Sequence, residues 1–312
     1  MNKKLPKIVV ILGPTASGKT DLGIFLAKKF KGEIISADSR QIYKKMSIGT
    51  DKPKGQWSGN GEPAYMVEDV PHYMMDIVDP GKPFTLADYQ KQTVVHIKDI
   101  LKRKKLPIIV GGTGLYIWAI VDNLDIPKMA PNKKLRDSFE EKKIDELILM
   151  LKKMDPESAN SIDLSNPRRV VRALEVFINT GESFVKQRLK SAPLFDALQI
   201  GLAWPREIIN ERINVRCDHH VSSGLVDEVK SLANQNYGWN LPSMSSIGYR
   251  QIGAYLRGEM SLEEAIIIFK RDTRRYAKKQ MTWFKRDKRI VWVEKGRISE
   301  AEEAVKFFLK PQ

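Results

Sequence analysis

The sequence predicts an α/β fold with a mostly parallel sheet covered by helices, plus a separate all-helical insertion. Short apolar runs rich in β-branched residues alternate with segments of helical periodicity in both halves of the 312-residue chain. Several of these runs lead directly into polar or glycine-rich motifs, at the strand ends where α/β proteins bind ligands. The strand signal disappears between about 124 and 196. We therefore expect residues 1–123 and 197–312 to form the core and residues 124–196 to form the insertion.

The elements of the first half follow from the apolar pattern. The run "KIVVIL" (7–12) predicts a strand, and "TDLGIFLAKKF" (20–30) has the apolar spacing of a helix. A second buried strand is predicted at "GEIISAD" (32–38), and a strand, a glycine turn and a helix at "LPIIVGGTGLYIWAIVD" (106–122). The stretch 52–71 is rich in Gly and Pro, which predicts a surface loop.

The second half begins with the helical insertion and then returns to the sheet. Helices are predicted at 132–154 and 166–182; Asn166 and Pro167 form an N-cap and first-turn pair, and Gly181 is a C-cap candidate. The run "LQIGLAWP" (198–205) predicts a returning strand. The remaining predictions are amphipathic helices at 206–234 and 261–284 and a last strand at 289–295.

The charge of the chain points to a polyanionic partner. Its net charge is +15, from 53 basic and 38 acidic residues. Residues 270–289 hold ten Lys or Arg and two Asp, a net charge of +8. Such a run is often only the solvated face of a helix, but Tyr276, Trp283 and Phe284 lie within it and could stack on bases or pack in the core. Both interpretations stay open on the sequence alone.

Cysteine and histidine usage argues against disulfides and structural zinc. Cys217 is the single cysteine and there are four histidines. In "CDHH" (217–220) the adjacent His219 and His220 would point to different faces of a helix, so we expect no metal site there. The first apolar run is too short for a signal peptide and no run is long enough to span a bilayer, so we expect a cytoplasmic protein without membrane contact.

The motif "GPTASGKT" (13–20) matches the phosphate-loop pattern G-x-x-x-x-G-K-[ST] and stands between a predicted strand and a predicted helix. Its glycines allow backbone N–H groups to face an anion, Lys19 adds a point charge and Thr20 can ligate Mg²⁺. The core is thus expected to be of the P-loop NTPase type, but the motif specifies a diphosphate grip rather than a nucleotide. The predicted diphosphate-binding residues are Gly13, Pro14, Thr15, Ala16, Ser17, Gly18, Lys19 and Thr20.

Asp38 follows the second predicted strand and admits three interpretations. It could be the Mg²⁺-associated carboxylate of a kinase or phosphohydrolase, a general base, or the cap of the following element. The residue alone does not separate them.

The surrounding segment "DSRQIYKKMSIGTDKP" (38–53) resembles the tRNA dimethylallyltransferase family, also called tRNA isopentenyltransferases. Further motifs in the order of that family extend the resemblance over nearly the whole chain, and together they are far more specific than any one alone. These motifs are "VPHYMMDIVDP" (70–80), "VGGTGLY" (110–116), "NPRRVVRALEV" (166–176), "ERINVRCDHHVSSGLVDEV" (211–229), "SIGYRQ" (246–251) and "TRRYAKKQMTWFKR" (273–286).

The resemblance implies transfer of a dimethylallyl group from dimethylallyl diphosphate to N6 of the adenosine 3′-adjacent to the anticodon, position 37 of tRNA. Residues 13–20 would hold the diphosphate leaving group with Mg²⁺, and Asp38 would take the N6 proton. Thr113 and Arg216 match residues that the family uses on the diphosphate side. Without the family, Thr113 could be a helix N-cap and Arg216 part of a surface ion pair.

The resemblance also assigns three segments to tRNA contact. On a helix, Arg168, Arg169 and Arg172 can present one cationic edge to phosphates, although such residues can also be solvated helix charge. Arg136 aligns with a further arginine of the family, within a segment that departs from the usual pattern. The implied tRNA-binding residues are Asp38, Ser39, Arg40, Gln41, Arg168, Arg169, Val170, Val171, Arg172, Ser245, Ser246, Ile247, Gly248, Tyr249 and Arg250.

Three rival functions remain for the sequence. An adenylate isopentenyltransferase would use the same chemistry on free AMP but would not need the arginines of the insertion or the basic segment. A nucleotide kinase would need only the phosphate loop, and a noncatalytic RNA-binding protein would carry the loop as a relic. The sequence ends at Gln312 without the zinc-finger extension of eukaryotic relatives, so the resemblance favours a bacterial-type enzyme, expected to be a monomer.

Overall fold

The computed structural model describes residues 4–58, 63–126, 132–186, 190–294 and 297–310. The chain forms two compact units. The first comprises Met1–Val121 and Leu194–Gln312, and the second comprises Asp122–Pro193.

Within the described residues, the first unit contains an eight-stranded sheet in the order β3-β4-β5-β2-β6-β1-β7-β8. The strands are β1 (Lys7–Leu12), β2 (Gly32–Ser36), β3 (Gln56–Trp57), β4 (Tyr65–Val67), β5 (Val70–Tyr73), β6 (Leu106–Gly111), β7 (Asp196–Ala203) and β8 (Val291–Glu294). Six strands, from β5 to β8 in the sheet order, pair in parallel, and the β3–β4 and β4–β5 pairs are antiparallel. The predicted mostly parallel α/β sheet is confirmed.

Helices bury both faces of this sheet. Along β1, Val10 belongs to one apolar cluster while Val9 and Ile11 belong to the cluster on the opposite face, as the two-residue period of a strand requires. The helices of the first unit are α1 (Lys19–Phe30), α2 (Leu86–Lys102), α3 (Gly114–Val121), α8 (Arg206–Ser222), α9 (Leu225–Asn234), α10 (Tyr249–Leu256), α11 (Leu262–Phe284) and α12 (Ile298–Leu309). No helix in the described part of the chain is long and apolar enough to cross a membrane.

The second unit has its own apolar core. Its helices are α4 (Lys133–Glu140), α5 (Ile144–Met154), α6 (Pro156–Ser161) and α7 (Pro167–Thr180). Leu147 and Leu151 of α5 pack with Val170 and Leu174 of α7. Helix α7 begins after Asn166, has Pro167 in its first turn and ends at Gly181, whose φ is +72°.

The prediction of a surface loop at 52–71 is wrong for much of that stretch. It contains β3, β4 and the start of β5, while residues 59–62 lie outside the described residues. The turn between β4 and β5 consists of Glu68 and Asp69, with φ of +47° and +64°. Two consecutive positive φ values suit the twist of a tight hairpin. The segment "VEDV" therefore forms a hairpin turn, although it lacks the glycine by which such a turn is usually recognised in a sequence. The last predicted strand forms over Val291–Glu294, and its final residue, Lys295, lies outside the described residues.

Candidate active site

The phosphate loop has the strand-before, helix-after setting that its pattern requires. It connects β1, which ends at Leu12, with α1, which begins at Lys19. Gly13 has φ of +153° and a Cβ there would lie 3.0 Å from the Leu202 carbonyl oxygen; Gly18, with φ of +85°, is the residue before the helix. Both positions favour glycine, and the helix N-terminus that follows presents unpaired N–H groups to an anion.

Lys19 folds back over this loop. Its Nζ donates a hydrogen bond to the Pro14 carbonyl oxygen at 2.6 Å. Burial of the ammonium, together with the positive charge of Arg216, lowers the pKa of Lys19 to about 8, while the negative charges of Asp38 and Asp51 act in the opposite direction. Four charged groups from four parts of the chain therefore act on one another at the loop.

Asp38 lies just after β2 and caps the turn that follows it. Its Oδ1 accepts hydrogen bonds from the backbone N–H groups of Arg40, at 2.8 Å, and Gln41, at 3.3 Å. The capped segment is a turn rather than a helix, and both bonds use the same carboxylate oxygen. Asp38 therefore does cap the element that follows it, although that element is a turn. Its second carboxylate oxygen, Oδ2, takes no part in these two hydrogen bonds.

Thr113 connects this turn to the glycine motif after β6. Its Oγ1 accepts a hydrogen bond from the Ser39 N–H at 3.1 Å, and its own N–H donates to the Ala37 carbonyl at 3.1 Å. The hydroxyl lies 3.4 Å from the Ser39 hydroxyl as well, so it faces the Asp38 turn and not the first turn of α3. The N-cap interpretation holds for the backbone, because the Thr113 carbonyl accepts from the Tyr116 and Ile117 N–H groups, while the hydroxyl contacts the Asp38 turn.

Arg216 reaches the phosphate loop from α8. Its Nη2 donates a hydrogen bond to the Thr15 hydroxyl, and its Nη1 donates to Asp51 Oδ2 at 2.8 Å. The side chain is 21% exposed, so Arg216 is not simply a member of a surface ion pair: its guanidinium contacts the loop itself. Asp38, Thr113, Arg216 and the loop are thus brought to one edge of the sheet.

The predicted RNA-contacting segments of the first unit lie beside each other. Arg40 Nη1 donates to the Pro242 carbonyl oxygen, which ties the Asp38–Gln41 turn to the segment before α10. In that segment Ser246, Gly248 and Tyr249 are buried, whereas Ser245 and Ile247 are partly accessible and Arg250 is exposed. The side chains of Ser245 and Arg250 are accessible enough to contact RNA. The Tyr249 side chain is not, because it is buried and its hydroxyl donates a hydrogen bond to Glu228.

The four arginines in the described part of the second unit divide into two pairs. Arg136 and Arg172 both contact Glu175, at 2.9 and 2.6 Å, and this carboxylate is completely buried. Arg168 and Arg169 lie on α7, as Arg172 does, and are exposed. The Val170 side chain is completely buried, and Val171 packs against the same core, so α7 presents its arginine side chains and not these valines to solvent.

Known families and proteins match this chain over nearly its whole length. The model of the family described as IPP transferase matches residues 41–287, and the one described as isopentenyl transferase matches residues 6–67. The tRNA dimethylallyltransferase of Pelotomaculum thermopropionicum is 42% identical over 306 residues, which is 96% of this chain and 94% of the relative. This chain belongs to the IPP transferase family. The tRNA dimethylallyltransferase of Carboxydothermus hydrogenoformans is 43% identical and covers 94% of this chain and 93% of its own.

Solved structures of IPP transferases share the fold. The tRNA isopentenylpyrophosphate transferase of Staphylococcus epidermidis is 35% identical with a TM-score of 0.68, covering 97% of this chain and 99% of its own. A eukaryotic dimethylallyltransferase acting on tRNA is 28% identical with a TM-score of 0.76, covering 97% of this chain and 77% of its own. The predicted P-loop NTPase type of fold is confirmed.

Four residues of this IPP transferase site were not predicted as site residues. Gln280 of α11, 6% exposed, accepts from the Thr15 N–H and donates to the Gly112 carbonyl, each at 2.9 Å. Burial of its hydroxyl and the charge of Asp38 raise the pKa of Tyr276 to about 12, while hydrogen bonding to Thr113 and Gln280 lowers it, so the phenol is neutral at physiological pH. Asp51 and His220 contact each other beside Arg216. All four lie in segments that resemble the family, but their mutual contacts join positions too far apart in sequence for a motif to indicate them.

Proposed function

We propose that this IPP transferase transfers a dimethylallyl group from dimethylallyl diphosphate to N6 of adenosine 37 of tRNA, next to the anticodon on its 3′ side, and releases diphosphate. One observation carries the proposal: a phosphate loop contacted by two cations, Lys19 and Arg216, lies at the same sheet edge as the Asp38 carboxylate. Cations at the loop suit a leaving diphosphate, and the carboxylate suits a proton acceptor. The curated relatives named tRNA dimethylallyltransferase support the same reaction.

The loop residues 13–20 would hold the leaving group. As the allylic C–O bond breaks, negative charge builds on the diphosphate oxygen, and backbone N–H groups, Lys19 and Arg216 would stabilise it. Thr113 would contribute from the neighbouring turn, where its hydroxyl already meets Ser39. The phosphates stay in the loop and the prenyl carbon is the group that moves.

Asp38 would act on the nucleophile. The adenine N6 amine forms the new C–N bond, and one of its two protons must then leave. We propose that the Asp38 carboxylate accepts this proton, during or after bond formation, because a carboxylate is too weak a base to remove it beforehand. Its turn is fixed by two hydrogen bonds from backbone N–H groups, which limits the positions that the carboxylate can adopt.

The donor set at the loop fits Mg²⁺. The Thr20 hydroxyl, in the first turn of α1, is a hard oxygen donor, the class of ligand that Mg²⁺ takes together with phosphate oxygens. We propose that Thr20 holds the ion against the diphosphate. When bound, Mg²⁺ would neutralise part of the charge of the leaving group.

For the RNA, we propose contacts from the turn Asp38–Gln41, from 245–250 and from the arginines of α7. An adenine in the anticodon loop costs less to unstack than one in a duplex, so it can reach Asp38. Arg168 and Arg169 are the exposed cations of α7, whereas Arg136 and Arg172 would support that helix through Glu175.

Substrate competition tests the proposal. The protein is incubated with labelled dimethylallyl diphosphate and Mg²⁺, and with either unmodified tRNA or AMP. We expect label in tRNA, little in AMP, and no requirement for ATP. Transfer to AMP alone would establish the adenylate enzyme, and phosphate transfer from ATP would establish a kinase; either result refutes the proposal.

A further inference from the structure

The carboxylate of Asp51 lies between two side chains of α8. Asp51 Oδ2 accepts from Arg216 Nη1 at 2.8 Å, and Oδ1 lies 3.3 Å from His220 Nε2. Although burial raises the pKa of Asp51, hydrogen bonds from His220 and Arg216 and the positive charge of Arg216 hold it well below its usual range. The carboxylate is therefore ionised at neutral pH and is available as a fixed anionic partner for the guanidinium.

The loop that carries Asp51 is itself anchored. Both carboxylate oxygens of Glu228 on α9 accept from backbone N–H groups: Oε2 from Ser47 and Ile48, each at 2.9 Å, and Oε1 from Gly49 at 3.2 Å. At Gly49 a Cβ would lie 2.5 Å from a ring carbon of Tyr249, so the loop packs directly on α10. These contacts give Asp51 a defined position before any ligand binds.

His220 fixes the other oxygen of the carboxylate. Its ring is buried, and its plane faces Phe269 with 6.2 Å between centroids. Among the described residues no hydrogen-bond partner meets Nδ1, so the tautomer that satisfies the contact is the one in which Nε2 carries the proton and donates to Asp51. Asp51 is thus held at both oxygens from one helix.

Arg216 depends on this arrangement for its orientation. Its guanidinium is a planar fork, with Nη1 on Asp51 and Nη2 on the Thr15 hydroxyl, and within the described chain its buried Nε has no partner. If Asp51 lost its charge, one neutral hydroxyl would be the only remaining partner among these contacts. The side chain would then sample other rotamers, and its alignment with a phosphate would have to be restored on binding.

We propose that Asp51 is a positioning residue that orients Arg216 toward the diphosphate of the prenyl donor, with His220 holding Asp51 in place. The inference rests on the proposed function, since it assigns the ligand of Arg216. It gives this chain a second layer behind the phosphate loop: Glu228 holds the loop 47–49, Asp51 holds Arg216, and Arg216 contacts Thr15.

The variant Asp51→Asn tests this with little other change. Asn keeps the shape of Asp and tolerates the left-handed φ of +53° at this position, where Ala would add strain. Because Asp51 is 52% exposed, solvent weakens the ion pair, and we expect the KM for dimethylallyl diphosphate and the Kd for inorganic diphosphate to rise about fivefold. The KM for tRNA should stay unchanged. Asp69→Asn is the matched control, because Asp69 also has a positive φ, of +64°, and lies in the β4–β5 turn.

A double-mutant cycle tests whether Asp51 acts through Arg216. In an Arg216→Ala background, Asp51→Asn should cause no further decrease in diphosphate affinity, whereas independent roles would give additive decreases. For His220, Leu should weaken diphosphate binding and Gln, whose Nε2 can replace the imidazole donor, should restore it. Suppose that Asp51→Asn lowers kcat while its KM for dimethylallyl diphosphate and its Kd for inorganic diphosphate equal those of Asp69→Asn. This result would show a purely structural role for Asp51 and overturn the proposal.

Calorimetry with inorganic diphosphate separates this inference from the proposed function, because it needs neither tRNA nor turnover. If the wild-type protein prenylates no tRNA, the proposed function fails. If diphosphate binding is the same in wild type and Asp51→Asn, the positioning role fails, whatever the reaction is.

Discussion

Thr15 in the phosphate loop donates its backbone N–H to the side chain of Gln280, which lies 265 residues later in the chain, at 2.9 Å. The same amide side chain donates to the Gly112 carbonyl oxygen, so α11 joins two turns of the active site. Gln280 therefore makes the basic helix α11 part of the phosphate-loop site of the first unit.

Replacement of Gln280 by Ala should weaken both turns at once. The buried Gly112 carbonyl and the partly buried Thr15 N–H would be left without this partner, which costs about 2 kcal/mol of unfolding free energy. We also expect kcat/KM for dimethylallyl diphosphate to fall, since the loop would no longer have a fixed position. Urea unfolding and steady-state kinetics would measure the two effects. Gln235→Ala, at an exposed site, is the control; equal behaviour of the two variants would rule out the tether.

The Glu175→Gln change should destabilise the second unit. Glu175 is fully buried and accepts from Arg136, Arg172 and the Asn132 backbone N–H. Removal of its charge breaks the ion pairs with Arg136 and Arg172, and because both guanidinium groups are partly exposed we expect a cost of about 2 kcal/mol rather than the full value of a buried pair. Hydrogen exchange of the α7 amides would report it locally. Exchange in α7 as slow as in the wild type would contradict the structural role of this cluster.

Asp287 should make folding stability depend on acid pH. Although burial raises its pKa, hydrogen bonds from Arg289 and Gln199 lower it to about 2, below the value of an unfolded Asp. A depressed carboxyl pKa contributes stability that is complete above about pH 4 and is lost as the pH falls toward 2; the full contribution is about 2 kcal/mol. The gap in unfolding free energy between wild type and Asp287→Asn should therefore shrink across this window. A gap that stays the same between pH 4 and pH 2 would count against the ion pair.

On the exposed face of α11, we expect Lys278 and Lys279 to contribute more to RNA binding than the arginines that pair with Asp272. Asp272 forms ion pairs with Arg250, Arg271 and Arg275, whereas Lys278 and Lys279 are exposed and none of the ion pairs among the described residues includes them. Alanine at both lysines should weaken tRNA binding and reduce the slope of log K against log salt by about 1 per phosphate that the protein no longer neutralises. Filter binding over a salt series would show this. If the slope stays the same, the run is only a solvated helix face.

Local sequence signals predicted the parts of the site that depend on neighbours in the chain. The phosphate loop, the position of Asp38 after β2 and that of Thr113 after β6 all follow from strand-end motifs, and parallel pairing of β1, β2 and β6 then brings them to one edge. The family resemblance assigned Arg216 to diphosphate binding. In the structure its guanidinium donates a hydrogen bond to the hydroxyl of Thr15, in the phosphate loop.

Contacts between distant segments could not be predicted. The hydrogen bonds of Gln280 to Thr15 and Gly112, and those of Asp51 with Arg216 and His220, depend on how α8 and α11 pack against the rest of the unit. No short motif encodes that packing. Burial of Glu175 decides that Arg136 and Arg172 form ion pairs inside the second unit, although an arginine on an amphipathic helix looks the same in sequence whether it pairs or faces RNA. The hairpin of β4 and β5 was missed because its turn uses Glu68 and Asp69 in place of glycine.

The proposed mechanism requires that the carboxylate of Asp38 accepts the N6 proton while the loop holds the leaving diphosphate. Asp38→Asn tests it directly, because Asn keeps the Oδ1 that accepts from Arg40 and Gln41. Prenyl transfer to adenosine 37 is measured by nucleoside mass spectrometry of one purified tRNA, with tRNA and diphosphate affinities measured in parallel. We predict both affinities near the wild-type values and a rate lower by about a hundredfold or more. A variant that binds both ligands and prenylates adenosine 37 at the wild-type rate would contradict this mechanism.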